Sequence, residues 1–247
     1  DKLFFFAAGE MNERTEPSGF SADGSTGQQF GKPEDAARFQ DILLTNYGYD
    51  AGGLADIPID TQSDHVFARL DWNVADNHQA TLRYNFIDAF RDDVANRSRS
   101  VYRFPKATFS RDAQTDSTVA QLNSVFGSFF NEARIGYQTL EDVRTFPEAF
   151  PSVEVGGTGP RRGELIGGTE QFSGLNVLEQ DILEITDDVT FLRGDHTITV
   201  GTHNEFFEFT NYFLASFYGY YYFPNLDALE AGVASEYQIS FANGDNP

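Results

Sequence analysis

Three pairs of runs, each about ten residues long and alternating between apolar and polar positions, meet at short turns, and long irregular stretches separate the pairs. In the first pair, His65–Val74 places Val66, Ala68, Leu70, Trp72 and Val74 on one face. His65, Arg69, Asp71 and Asn73 fall on the other, with Phe67 the exception. After Ala75-Asp76-Asn77, His78–Phe86 alternates again, with Ala80, Leu82, Tyr84 and Phe86 against Gln79, Thr81, Arg83 and Asn85. A period of two is that of a strand with one apolar and one polar face. The second pair, Thr118–Val125 and Asn131–Leu140, flanks a turn expected over Phe126–Phe130. There Ala133, Ile135 and Tyr137 oppose Glu132, Arg134 and Gln138. The third, Asp181–Leu192 and His196–Phe209, flanks Arg193-Gly194-Asp195, and Leu183, Ile185, Val189 and Phe191 oppose Glu184, Thr186, Asp188 and Thr190. Asp187 and Asn204 are faults, falling on the apolar side of their strands.

This pattern predicts an all-β protein with three antiparallel hairpins turning at one end and the long stretches at the other. Short turns at one end and long loops at the other are the layout of an up-and-down transmembrane β-barrel. In that layout Val66, Leu70, Trp72, Leu82, Tyr84, Ile135, Ile185 and Val200 face lipid. Arg69, Arg83, Glu132, Arg134 and Glu184 face the lumen. A barrel strand needs only ~9–11 residues to cross a bilayer, and no apolar run approaches the ~20 residues of a membrane-spanning helix.

The long stretches have their own signals. Glu16–Gln62 opens with a Gly/Ser-rich segment, Pro17–Gly31, and continues as a helix. Pro33 stands in its first turn, Glu34 and Asp35 suit its positive end, and Gly48 is its stop. Phe39, Leu43 and Tyr47 recur every four residues and give a narrow packing stripe. Arg91–Asp112 is charged with both signs. Arg144–Glu179 is glycine-rich around Gly156–Gly163 and reads as a mobile loop, because a phosphate-cradling loop requires a following Lys-Ser/Thr. Phe217–Phe223 predicts a short strand, Asn225–Ala231 a helical turn before Gly232, and Glu236–Phe241 one more strand. Long loops of a barrel are its ligand-meeting ends, so Phe39, Tyr47, Arg97, Arg99, Arg103, Tyr218, Tyr220 and Tyr222 are candidate ligand contacts. The competing reading is that the aromatics only pack the loops together.

Composition narrows the classes. The 247 residues are 40% hydrophobic, low for a compact core of this size, yet include 25 Phe and 11 Tyr, and aromatics are favoured in strands and in barrel girdles. With 38 acidic and 17 basic residues the net charge is −21, which argues against a nucleic-acid partner. Cysteine is absent, so there is neither a disulfide framework nor a thiolate metal site. Neither His65, His78, His196 nor His203 has the spacing of a helical metal motif. No serine occupies a nucleophile elbow, and Arg193-Gly194-Asp195 reads as a tight turn, not an adhesion tripeptide. The sequence therefore predicts no enzyme, no cofactor and no metal. The runner-up fold is a secreted or surface-anchored acidic β-sandwich serving as a binding module.

Several phrases together resemble the TonB-dependent outer-membrane receptors, in particular their Oar-like branch. Asp1-Lys2-Leu3-Phe4-Phe5-Phe6 is similar to the first barrel strand after the plug domain. Phe39-Gln40-Asp41-Ile42-Leu43 through Tyr47-Gly48-Tyr49-Asp50 is similar to the helix of the first long loop. His78–Tyr84, Phe130–Tyr137 and Leu192–Gly201 resemble later strands and a turn. The resemblance implies about seven long strands of a barrel of roughly 22, spanning residues 1–247 as a partial barrel, with the family's plug domain and C-terminal strands absent from it. It further implies a bacterial outer-membrane location, outer-membrane lipid as a partner, energy delivered through the TonB complex, and transport (import, or export in this branch) of a bulky solute such as a peptide or glycan.

Overall fold

The computed structural model describes residues 2–93, 97–156 and 163–241. The elements in chain order are β1 (Leu3–Pro17), α1 (Pro33–Tyr47), β2 (Pro58–Ala75), β3 (His78–Asp93), β4 (Tyr102–Arg103) and β5 (Phe109–Phe126). There follow β6 (Phe129–Thr145), β7 (Ser152–Gly156), β8 (Gly163–Gly167), β9 (Asn176–Arg193) and β10 (His196–Phe213), then β11 (Tyr220–Phe223), α2 (Leu226–Glu230) and β12 (Glu236–Gln238). Seven long strands make one antiparallel sheet in the order β1-β2-β3-β5-β6-β9-β10, which is chain order with the short strands left out. The remaining strands form a second sheet, β12-β11-β7-β8-β4. Its β11–β7 and β8–β4 pairs are parallel, a departure from the all-antiparallel expectation. The glycine-rich Gly157–Arg162 lies outside the described residues; the segments on either side of it, β7 and β8, form a paired ladder instead of a loop.

The three hairpin turns lie at one end, as the pattern predicts: His78 pairs with Ser124 and Phe129 with Phe191. Asn77 and Val125 exchange two hydrogen bonds across neighbouring turns, and Leu192 N–H donates to Ser128 O. The middle turn is shorter than the expected Phe126–Phe130. Phe126 pairs directly with Phe129, so only Gly127-Ser128 turns. Gly127 has φ 60° and Gly194 φ 61°, while Ser128 and Asp195 stay at negative φ. Positive φ at the first central residue alone is the type II′ turn, whose twist matches that of the flanking strands.

Register divides the sheet into two unlike faces. Leu70, Leu82, Ala120, Ile135 and Ile185 stand side by side in one row. In the next row, on the opposite face, stand Arg69, Arg83, Val119, Gly136, Glu184 and Glu205. All eight residues expected to face lipid share the first face, and all five expected lumen residues share the second. The two faults also fall where expected, and Asp187 is held by the Asn131 amide at 2.6 Å. Exposure inverts the usual order. Leu82, Ile135 and Tyr137 are 47–50% exposed, whereas Arg83 and Gln138 are half-buried and Gly136 is buried. The polar face is knit by its own hydrogen bonds: Asp71 accepts from Arg69 at 2.7 Å and Thr81 at 2.8 Å, and Gln121 accepts from Arg83 and donates to Asn123.

The apolar face is a band with two edges. Next to the turns, Phe126 stacks on Phe129 at 5.2 Å, and Phe191 lies tilted against Phe129 at 5.7 Å. At the far edge Tyr84 and Tyr137 donate their hydroxyls to Asp116 and Asp181 at 2.6 and 3.1 Å. Beyond them lies the row Asp64, Asp88, Gln114, Glu141, Glu179. From Phe126 back to Asp116 the strand advances about ten residues, or ~34 Å at ~3.4 Å each.

The connections between long strands gather into a cap around α1 and the second sheet. Pro33 opens α1, and Gly48 closes it at φ 68°. Its N–H bonds Leu44 O and that of Tyr49 reaches back to Leu43 O, so the left-handed glycine caps the last carbonyls of the helix. Phe39, Ile42 and Leu43 pack with Tyr102, Phe104, Val153, Leu165 and Leu229 into one buried cluster. Phe39 stacks on Phe104 at 4.9 Å and lies so close to Gly167 that a Cβ there would stand 2.9 Å from its ring.

Candidate functional site

The cap carries an apolar cavity of about 360 Å³ between α1, β7, β11 and α2. Leu43, Val153 and Leu229 form its buried floor; Tyr47, Phe150 and Tyr221 stand at its sides. Tyr47, 41% exposed, is pinned because its hydroxyl donates to Leu229 O at 2.7 Å. Tyr221 is steadied by Tyr237 at 4.7 Å between ring centres. Phe150 stacks on buried Tyr49 at 3.9 Å. The cavity is within the size of small-ligand sites, and an apolar lining with rigid aromatic sides suits an apolar group of a larger solute. Arg38 bridges Asp227 and Glu230 of α2 at 2.7 and 2.6 Å on the outside, an exposed arrangement that ties α1 to α2 but contributes little energy.

Of the candidate contacts, Tyr47 lines this cavity, Arg99 is exposed away from its lining and Tyr218 is half-buried against Phe217 and Phe146. The other five are interior residues. Phe39 is fully buried in the core cluster. Tyr220 and Tyr222 are buried in β11, 4% and 9% exposed. Burial beside Glu154, whose carboxylate accepts from its hydroxyl, pushes the Tyr220 phenol well up. Arg103 is buried with its guanidinium on Ala107 O, and desolvation lowers its pKa.

Arg97 is a staple. Its guanidinium donates to Arg103 O at 2.9 Å, Phe20 O at 3.1 Å and Ala55 O at 3.3 Å, and reaches Ser18 Oγ at 3.4 Å. It also covers the Tyr102 ring at 4.5 Å. Burial lowers the Arg97 pKa and pushes the Tyr102 phenol up to about 12. One cation thus ties the β1–β2 connection, through Phe20 O and Ala55 O, to its own β3–β5 connection, through Arg103 O. Arg97→Met removes the guanidinium donor from Arg103 O and leaves Phe20 O and Ala55 O only the Ser18 and Tyr102 hydroxyls, at ~1–3 kcal/mol for a group that water cannot reach. We expect the variant to lower the stability of the cap by about 2–4 kcal/mol, measured as the denaturant midpoint of cap unfolding. A midpoint equal to that of the unsubstituted protein would contradict the staple.

Sequence spacing also missed a cluster on the polar face. His203 Nε2 lies 2.9 Å from Glu205 Oε1 and 3.8 Å from Glu184 Oε1, with Nδ1 2.9 Å from Thr186 Oγ1. Only the β9–β10 register, which pairs Glu184 with Glu205 and Thr186 with His203, brings these groups together.

Compared with known proteins, the chain matches no family model, no curated protein and no solved structure.

Proposed function

We propose that the chain is part of a TonB-dependent outer-membrane transporter of bacteria, with the seven-stranded sheet a segment of the barrel wall and the cap its outward, ligand-collecting surface. The observation that carries this reading is the band on the apolar face. It is exposed, runs ~34 Å along the strand, which the ~40° tilt of a barrel strand turns into ~26 Å of height, and is edged by phenylalanines at one side and by tyrosines and a mainly acidic row at the other. An outer-membrane barrel has an apolar outer belt ~25 Å tall between aromatic girdles and a polar interior. The more sheltered polar face supports the same orientation. A soluble sandwich would cover its apolar face, because contiguous exposed apolar surface of this extent is rare on soluble monomers. The phrase-level resemblance supports the family within that class. The occupant that suits the cap cavity is a peptide with an apolar side chain, which fits an apolar floor better than the hydroxyls of a glycan do. Energy coupling to TonB belongs to parts of such a receptor other than this sheet and cap.

Trp72 tests the reading directly. It is the single tryptophan of the chain and lies on the apolar face, 49% exposed. After reconstitution into vesicles its emission is expected to be blue-shifted and quenched by lipids brominated along the acyl chain, with iodide in the water having little effect. Red-shifted emission quenched by iodide and untouched by brominated lipid would exclude the membrane orientation.

A further inference from the structure

We propose that Glu184, His203 and Glu205 form a binding site for a divalent transition-metal cation, with zinc-like ligand preferences, on the polar face of the sheet. The site does not depend on the membrane reading. Residues 203 and 205 are two apart on β10 and so point to the same face, and Glu184 stands directly across from Glu205 on β9. One ligand atom from each lies within 4.8 Å of the others. A cation bound at ~2.0–2.2 Å from each donor sets donors ~3.3 Å apart in tetrahedral geometry. The observed 2.9 and 3.8 Å from the imidazole to the two carboxylates need shifts of only about half an ångström.

Two further features point to a cation and not to a chance cluster. The Thr186 hydroxyl at Nδ1 fixes the ring so that Nε2 faces the carboxylates, the role an outer partner plays for a metal-binding imidazole. Two glutamates in direct cross-strand register repel one another. Among the described residues the only cationic partner of either is His203, itself charged only when protonated. The donor set is one imidazole and two carboxylates. It favours zinc, cobalt or manganese over the all-oxygen ligation of calcium and magnesium, and the half-exposed site leaves a coordination position for water or a ligand group.

The test is calorimetric titration of the whole folded chain in detergent with Zn²⁺ alone. The expected result is one saturable site that His203→Ala and Glu205→Gln each weaken at least about tenfold, with Thr186→Val giving a smaller loss. His196→Ala, on the same strand but outside the cluster, should leave binding unchanged, and circular dichroism confirms that each variant retains the sheet. Absence of saturable binding overturns the proposal, as does equal affinity in the unsubstituted chain and His203→Ala. An equal loss in His196→Ala also overturns it, because zinc would then be reading scattered imidazoles on an acidic protein.

Discussion

Leu82→Arg is expected to abolish assembly of the sheet in a bilayer, while Arg83→Leu leaves assembly intact. The two residues are neighbours in β3 and differ only in face. Leu82 is 47% exposed in the middle of the apolar band, flanked by Leu70 and Ala120. A guanidinium at the bilayer midplane of a barrel costs ~2–4 kcal/mol, a large part of the ~5–15 kcal/mol that holds a typical domain folded. Arg83 sits on the sheltered polar face, where it donates to Gln121 at 3.3 Å and its Nε has no acceptor among the described residues. Its loss removes one weak bond and one orphaned donor together. Resistance of the vesicle-inserted protein to protease and to detergent at elevated temperature reads the difference. Tolerance of arginine at 82 with failure of leucine at 83 would reverse the faces and end the membrane reading.

Phe39→Ala is expected to cost ~3–5 kcal/mol, the range for truncating a buried aromatic, and to unfold the cap while the long sheet persists. The ring is fully buried, stacks on Phe104 and packs over Gly167, so collapse of neighbours cannot refill its place cheaply. Hydrogen exchange separates the outcomes. Protection should vanish from α1 and β7 and remain through the middle of β5 and β6. Were Phe39 a solvent-facing ligand contact, the same change would stay within ~0.5 kcal/mol and leave cap protection unaltered.

The period of two made the hairpins and both faces of the long sheet legible, because inside the band each side chain must match one of two environments. Strand ends were not legible. β2 begins at Pro58 and β3 continues to Asp93, where Asp64, Asp88 and Asp92 put carboxylates on the face that is apolar further along the strands. Backbone pairing continues there without any alternation to announce it. The middle turn was misjudged because the flanking phenylalanines look like loop filling, although Gly127-Ser128 suffices. In the cap, Tyr-Tyr-Tyr-Phe offers an aromatic at every position, so composition could not say that Tyr221, with Phe223, faces the core cluster and its cavity while Tyr220 and Tyr222 are buried on the other side of the strand. The parallel β4–β8 and β7–β11 pairs join segments some sixty residues apart, beyond the reach of local pattern. The Glu184–His203–Glu205 cluster was hidden for the same reason, since it exists only once β9 and β10 are in register.

The cap has a kinetic consequence as well. Three strand pairs, β2–β3, β5–β6 and β9–β10, close through two-residue turns and need almost no chain search. The other three joints, β1–β2, β3–β5 and β6–β9, are interrupted by about forty, fifteen and thirty residues. Loop closure opposes pairing across such gaps, and non-local strand pairing is slow for that reason. All three interruptions contribute to one structure: α1 from the first, β4 from the second, β7 and β8 from the third. Once that structure condenses it draws the ends of three open loops together, so the cap acts as a template for joining ready-made hairpins. The Phe39→Ala protein should therefore also rebuild its sheet more slowly after dilution from denaturant, with the delay falling on hairpin joining and not on hairpin formation.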